Sequence, residues 1–325
     1  MGRRTKVAAN YLLVTLVTIT SLIAAVNLPA EASAAEANGF QISPVLSEIT
    51  IDKGQSQTVP ITVTNPTDVV SNDQVVVDDF TASTQENGTP NLLLNGQVAD
   101  PRHNFKSLVD PIPNISIPPK GTASVEVTLS VPPGANSGGY YGTVRIVPVT
   151  SGNGNGNVGL TASVGTLFLV TVPGNLIEKL DLVQLSAAHN NQASSLLFSG
   201  TPQVLTRLSN VGDIQVQPFG RVNVTNMFGK VVASYEFNNL SPRSNILPNS
   251  IRKFIDKLPK QNWLGHYTIE ESLAYTSGSG NLINDSVGFW YLPIWSIAVL
   301  VVALFIIVAI VYKAVLRFKK PAHRR

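Results

Sequence analysis

Four histidines, His103, His189, His266 and His323, are the only imidazoles available for acid–base catalysis or metal ligation, and they are scattered along the chain. None belongs to an H-E-x-x-H pair and no two stand at metal-ligand spacing. The 325-residue chain has no cysteine, which removes thiol nucleophiles, thiolate metal sites and internal disulfides. No G-x-S-x-G nucleophile elbow occurs. Asp78 and Asp79 are adjacent, so on a strand they point to opposite faces and cannot share work as a catalytic pair. Asp68, Asp73, Asp78 and Asp79 lie near one another but do not form the D-x-D-x-D loop of a calcium site; the expectation is a solvated acidic face. These residues predict no enzyme, no cofactor and no metal.

Tyr140 and Tyr141, within Ser137-Gly-Gly-Tyr-Tyr-Gly142, are the candidate partner contact, because the flanking glycines let another backbone approach. The competing expectation is a tyrosine placed structurally at a strand start. Gly265-His266-Tyr267 repeats the same entry further along and favours that structural role.

The elements that must position these residues lie between two charged ends. Arg3, Arg4 and Lys6 precede an apolar run over 11–26, followed by Pro29 and a small-residue stretch. That order predicts a secretory signal peptide over residues 1–34. Ala-x-Ala occurs twice, placing cleavage after Ala34 or after Ala32, with an uncleaved signal anchor as the alternative. Near the other end, residues 292–311 carry no charge and include 13 Val, Ile, Leu or Phe from 294 onward. On an insertion scale those side chains favour the bilayer by about 5 kcal/mol, which predicts a transmembrane helix over 290–312. Trp290 and Trp295 stand where an outer aromatic belt belongs. Lys313 and Arg317 begin a basic cytoplasmic tail, 313–325, whose charge fixes orientation. The expected location is a plasma membrane, single-pass, with the bulk extracellular.

Between the ends, 14 basic residues face 19 acidic ones, so the formal net charge of +3 belongs to the termini. Such a region lacks the basic stripe that nucleic acid requires. Recognition by it should rest on strand edges, loops and aromatics, unless Arg252, Lys253, Lys257 and Lys260 form a local charged patch.

Only 13% of residues are charged, mean hydropathy is +0.17, and 24 Gly and 21 Pro punctuate the chain. Short runs of period two, such as Thr58-Val-Pro-Ile-Thr-Val-Thr64 and Ala123-Ser-Val-Glu-Val-Thr-Leu129, predict strands with one buried face. Asp52-Lys-Gly54, Asn65-Pro66 and Pro132-Pro-Gly134 are turn signals between them. The result is an all-β fold of two tandem immunoglobulin-like sandwiches, at 39–172 and 175–275. The Gly-rich stretch 151–159 reads as a hairpin tip, and Asn226-Met-Phe-Gly229 as a tight hairpin. Residues 251–258 fit a short helix or a strand. The polar composition after 275 predicts a flexible linker over 276–288.

Phe40-x-Ile-Ser-Pro44, Val63-Thr-Asn65-Pro66, Asn87-Gly88, Val131-Pro132 and Gly138-Gly-Tyr-Tyr-Gly142 together resemble the peptidoglycan-binding half of the WxL-interacting surface proteins of Gram-positive bacteria. Leu208-Ser-Asn210-x-Gly212, Pro218-x-Gly220, Phe228-Gly229, Leu247-Pro248 and Gly265-x-Tyr267 resemble the membrane-proximal sandwich that follows there. The resemblance implies a bacterial, surface-anchored, non-enzymatic adhesion or binding protein that engages cell wall or another surface protein. A different class, a chaperone-like or accessory subunit of an assembly or secretion complex, fits paired sandwiches as well.

Overall fold

The computed structural model describes residues 39–94, 96–98, 100–149, 163–275 and 282–318. The signal peptide with Ala32 and Ala34, the stretch 151–159, residues 276–281, His323 and the tail from 319 onward lie outside the described residues.

Nine strands build the first sandwich: β1 (Gln41–Ser43), β2 (Leu46–Thr50), β3 (Ser56–Thr64), β4 (Ser71–Ala82), β5 (Pro90–Leu93), β6 (Ile115–Ile117), β7 (Thr122–Ser130), β8 (Gly138–Pro148) and β9 (Val164–Val172). One sheet has the order β1-β3-β7 and the other β2-β9-β8-β4-β5, with β6 beside the start of β4. Inward residues alternate along the strands, as Val125, Val127 and Leu129 do on β7, because only one face of each sheet is covered. They meet Val144, Ile146, Phe168 and Val170 from the opposite sheet. A turn over Phe105–Leu108 plugs the core, stacking Phe105 on Phe168 at 5.6 Å. Phe105 lies directly against Gly142, where a Cβ would collide with its ring.

The second set comprises β10 (Leu180–His189), β11 (Gln192–Ala193), β12 (Leu196–Leu197), β13 (Gln203–Asn210), β14 (Phe219–Asn226), β15 (Val231–Phe237), β16 (Ser250–Lys257), β17 (Gly265–Ala274) and β18 (Leu282–Tyr291). Its sheets run β11-β10-β13-β16 and β12-β18-β17-β14-β15. They enclose a separate core that includes Leu208, Val222, Ile269, Phe289 and Trp263. The two sandwiches have the same strand order. In each, the first strand and a short parallel partner of the last strand divide between the sheets, as β2 pairs with β9 and β12 with β18. The order is that of an immunoglobulin-type sandwich with one extra edge strand.

The same asparagine device ends the second long strand of each sandwich. Asn65 is fully buried and donates its amide to the carbonyls of Val69, Ile117 and Pro118, while its oxygen accepts from the Thr67 amide. Asn210, equally buried, donates to Ile214 and Ile246 and accepts from the Gly212 amide. Loop carbonyls taken out of water are thereby satisfied, and an unmet one costs about 1–3 kcal/mol.

Of the two alternatives for residues 251–258 the strand is the one that forms: β16 pairs with β13 along its full length. Two other expectations are corrected. The predicted linker fails from 282 onward, since β18 pairs with β17 over ten registered positions. Composition hid the alternation that turns Ile283, Val287, Phe289 and Tyr291 inward. The apolar helix α1 (Ile294–Phe318) therefore starts after Leu292 and Pro293, and Trp290 belongs to β18 rather than to a span beginning at 290. Its segment Ile294–Val315 is long and apolar enough to cross a membrane, with a mean hydropathy of 3.2.

Replacing Asn210 with Ala leaves the Ile214 carbonyl and the Gly212 amide without their partner and takes one of two donors from the Ile246 carbonyl, which the Val216 amide also reaches. Urea unfolding in mild detergent should show a loss of about 2–4 kcal/mol, while exposed Asn72→Ala changes stability by less than about 0.5 kcal/mol. Equal, small effects from both would refute the role assigned to the asparagine.

Candidate functional site: the junction between the sandwiches

Three sets of side chains tie one sandwich to the other. The β4–β5 hairpin tip presents Glu86, which adopts φ of +58°. Its carboxylate takes a two-point hydrogen bond from Arg207 on β13, Nε to Oε2 at 2.7 Å and Nη2 to Oε1 at 2.5 Å. Its carbonyl accepts from the Lys253 amide on β16 at 2.7 Å. The Arg207 hydrogen bond lowers the Glu86 pKa and raises that of Arg207, so both stay charged. Gly88, in the same tip, lies against the Arg252 guanidinium, and its φ of +76° is one that residues with a Cβ rarely adopt. Arg252 is held by the Asn245 carbonyl and the Ser244 hydroxyl.

Tyr141 supplies the second set. Its hydroxyl donates to Gln215 Oε1 at 2.9 Å and accepts from the Gln215 amide at 3.0 Å. Gln215 Nε2 reaches Thr171 Oγ1 at 3.1 Å. Burial pushes the Tyr141 phenol well above its ordinary range. In the third set, the Glu48 carboxylate accepts from Gln217 and Asn245.

Between these ties lies a cleft of about 240 Å³. Leu46, Phe80, Leu167 and Leu169 line it from the first sandwich, and Ile246 and Ile251 from the second. Arg243, Ser244 and Arg252 add polar groups, and the lining contains no carboxylate. A second, polar cavity of about 530 Å³ lies at the same junction, lined by Asp79, Asp100, His103 and Asp213 among others.

The tyrosines expected to meet a partner are engaged within the chain. Tyr140 is 3% exposed and its hydroxyl donates to the Asn136 carbonyl, four residues upstream. Tyr267 makes the same corner with the Leu264 carbonyl, so each sandwich uses one such tyrosine at the start of its penultimate strand. Of the acidic run, Asp68 is solvated as expected, but Asp73, Asp78 and Asp79 are all buried; Asp78 pairs with Arg145 and Asp79 accepts from the Lys106 amide. Arg252 and Lys257 do not share a patch, since five residues of strand separate them by roughly 17 Å.

No family model matches the chain, and no curated protein matches it. Among solved structures the chain is similar to one from the chaperone–tip adhesin complex of CFA/I fimbriae, at 10% identity and a TM-score of 0.37, over 78% of this chain and 99% of that one. It is also similar to one from the Salmonella enterica SafA pilin–SafB chaperone complex, at 12% identity and a TM-score of 0.35, over 78% and 99% of the two chains. A third is from the CsuC–CsuE pre-assembly complex of Acinetobacter baumannii, at 16% identity and a TM-score of 0.33, over 66% and 89%. At these values the likeness adds nothing to the β-sandwich architecture already described.

The arrangement at the polar cavity does not assemble a nucleophile. His103 Nδ1 meets Asp100 at 3.1 Å, but Nε2 meets the Ser137 carbonyl at 3.2 Å and the Ser137 hydroxyl donates to Pro173. A general base needs a free ring nitrogen facing the group it deprotonates. Among the described residues no group of three or more His, Asp or Glu is placed to hold a metal ion. Of the predicted membrane residues, Trp295 lies in the first turn of α1, Lys313 is exposed along it, and Arg317 belongs to its last turn. Sequence reading missed Glu86, Arg207 and Gln215, whose partners across the junction lie 44 to 167 residues away.

One titratable group sits inside the second core. Glu271 is 2% exposed, accepts from Thr206 at 2.9 Å through one oxygen and leaves the other unpaired. Burial raises its pKa to about 7 from 4.5. The folded state then binds its proton more tightly than the unfolded state, so stability falls as pH rises from about 4.5 to 7 and is level above that. The loss is of order 3 kcal/mol. Glu271→Gln should gain stability relative to the native chain between pH 5 and pH 8 by that order, read by urea unfolding. A difference that does not vary with pH would contradict the buried-acid assignment.

Proposed function

We propose that the chain is a non-enzymatic binding protein, held by α1 in a membrane with its sandwiches outside, that takes an apolar segment of a protein partner into the cleft at the junction. The observation that carries this reading is the cleft itself: an apolar floor of Leu46, Phe80, Leu167 and Leu169 fixed between bodies that are tied together on several sides. Concave, pre-formed and mostly apolar sites with a few placed polar groups are what ligand recognition uses. A protein segment suits it better than a wall glycan, because the floor offers aliphatic side chains and few polar partners for hydroxyl groups. Orientation follows from the basic residues after α1 and the leader-like N-terminus. The resemblance to WxL-interacting surface proteins agrees with such a display.

A chaperone-like role is favoured by one separate observation. Among the described residues no strand pairs with the outer edge of β18 between Leu282 and Phe289, since β12 covers only Trp290 and Tyr291. The Trp290 amide donates outward to Ser195, so the amides of Asn284 and Gly288, six and two residues earlier, face the same open side. An extended segment of another chain adds to such an edge.

A photoreactive phenylalanine analogue at Leu46, on the cleft wall, should give discrete protein adducts in intact cells that added protease then degrades. The same group at exposed Leu240 should give none. Equal adducts at both positions, or adducts that resist external protease, would refute respectively the site and the orientation.

A further inference from the structure

The end of the second sandwich nearest α1 carries an apolar surface that neither core absorbs. Register places its parts together. Asn226 is level with Tyr267, and Tyr267 with Phe289, so the Met227–Phe228 hairpin tip stands at the end of the sheet from which the chain passes into α1. Leu196 is level with Trp290, and Phe198 follows two residues on. Phe228 is 85% exposed, and Leu196, Phe198, Met227, Leu264 and Trp290 are each between 41% and 51% exposed. Met227 is turned onto Gly265, and Trp290 packs edge-on against His266 at 5.1 Å, so the patch is built rather than loose.

Charge at this end has one sign. Lys230 follows the hairpin tip, Lys257 ends β16 and Lys260 lies in the loop leading to β17; all three are exposed. The carboxylate nearest in sequence, Asp256, is half-buried. Distance fixes the occupant. Three Cα steps separate Tyr291 from Ile294, so the end of the sheet lies within about 11 Å of the start of α1. The apolar segment of 22 residues is about 33 Å long, filling a hydrocarbon layer of about 30 Å and leaving headgroup zones about 5–8 Å deep on each side.

We infer that this end of the second sandwich docks on the bilayer that holds α1, with the Met227–Phe228 tip, Leu264 and Trp290 entering the headgroup–acyl boundary and Lys230, Lys257 and Lys260 meeting anionic headgroups. Exposed apolar patches rimmed by charge mark such contacts, and aromatic side chains settle at that depth. The sandwiches then lean on the membrane instead of swinging above it. This rests on reading α1 as a membrane span.

Because the chain has no cysteine, single cysteines at Phe228, Leu240 and Phe305 can each carry a nitroxide in the full-length protein, reconstituted into phosphatidylcholine–phosphatidylglycerol vesicles. Collision with a water-soluble nickel complex is the readout. Protection at 305 and a severalfold lower collision rate at 228 than at 240, which is 64% exposed on the loop after β15, are expected. Protection at 305 with equal rates at 228 and 240 overturns the docking alone. Free access at 305 overturns the span and the docking with it.

Discussion

The two-point bond between Glu86 and Arg207 is the contact on which the junction turns. It joins a hairpin tip of one sandwich to the centre of a sheet in the other, and the Glu86 carbonyl caps the Lys253 amide on the neighbouring strand. A fully exposed ion pair would contribute about 0.2–1 kcal/mol. Here both side chains are about a quarter exposed and the geometry is two-pronged, so the pair chiefly selects one orientation of the bodies it joins. Tyr141 with Gln215, and Glu48 with Gln217 and Asn245, hold the same orientation from other points. Remove the orientation and the apolar cleft has no second wall.

The two sandwiches use one plan for different ends. Each needs an asparagine to satisfy loop carbonyls, Asn65 and Asn210, and a tyrosine to pin the loop before its penultimate strand, Tyr140 and Tyr267. The first sandwich spends its hairpin between β4 and β5 on the junction. The equivalent hairpin of the second, between β14 and β15, carries Met227 and Phe228 toward α1 instead. One fold thus places one hairpin at the junction and its equivalent at the end nearest α1.

Much of this was legible because alternation is a local signal. The alternating runs 58–64 and 123–129 lie within β3 and β7, each short of the strand by no more than two residues at either end. Residues 282–291 were not, because Asn284, Asp285, Ser286 and Gly288 gave them a linker's composition while their alternate neighbours packed inward. Asp78 and Asp79 were rightly placed on opposite faces of a strand. Their burial was not foreseen, since it depends on Arg145 and on the Lys106 amide, from other elements. The junction itself leaves no local trace: nothing beside Glu86 announces an arginine 121 residues away. The repeated Asn-x-x-Asp of Asn65 to Asp68 and Asn210 to Asp213 was a readable sign of duplication.

The central claim is that the ties at the junction hold the two sandwiches as one body with a standing cleft. Its most direct test is a pulsed spin–spin distance measurement between nitroxides on single cysteines at Gln57 and Glu236, both exposed and one in each sandwich. A single narrow distance distribution is predicted for the native chain, broadening when Glu86→Ala removes the Arg207 bond. A broad distribution in the native chain would contradict the account.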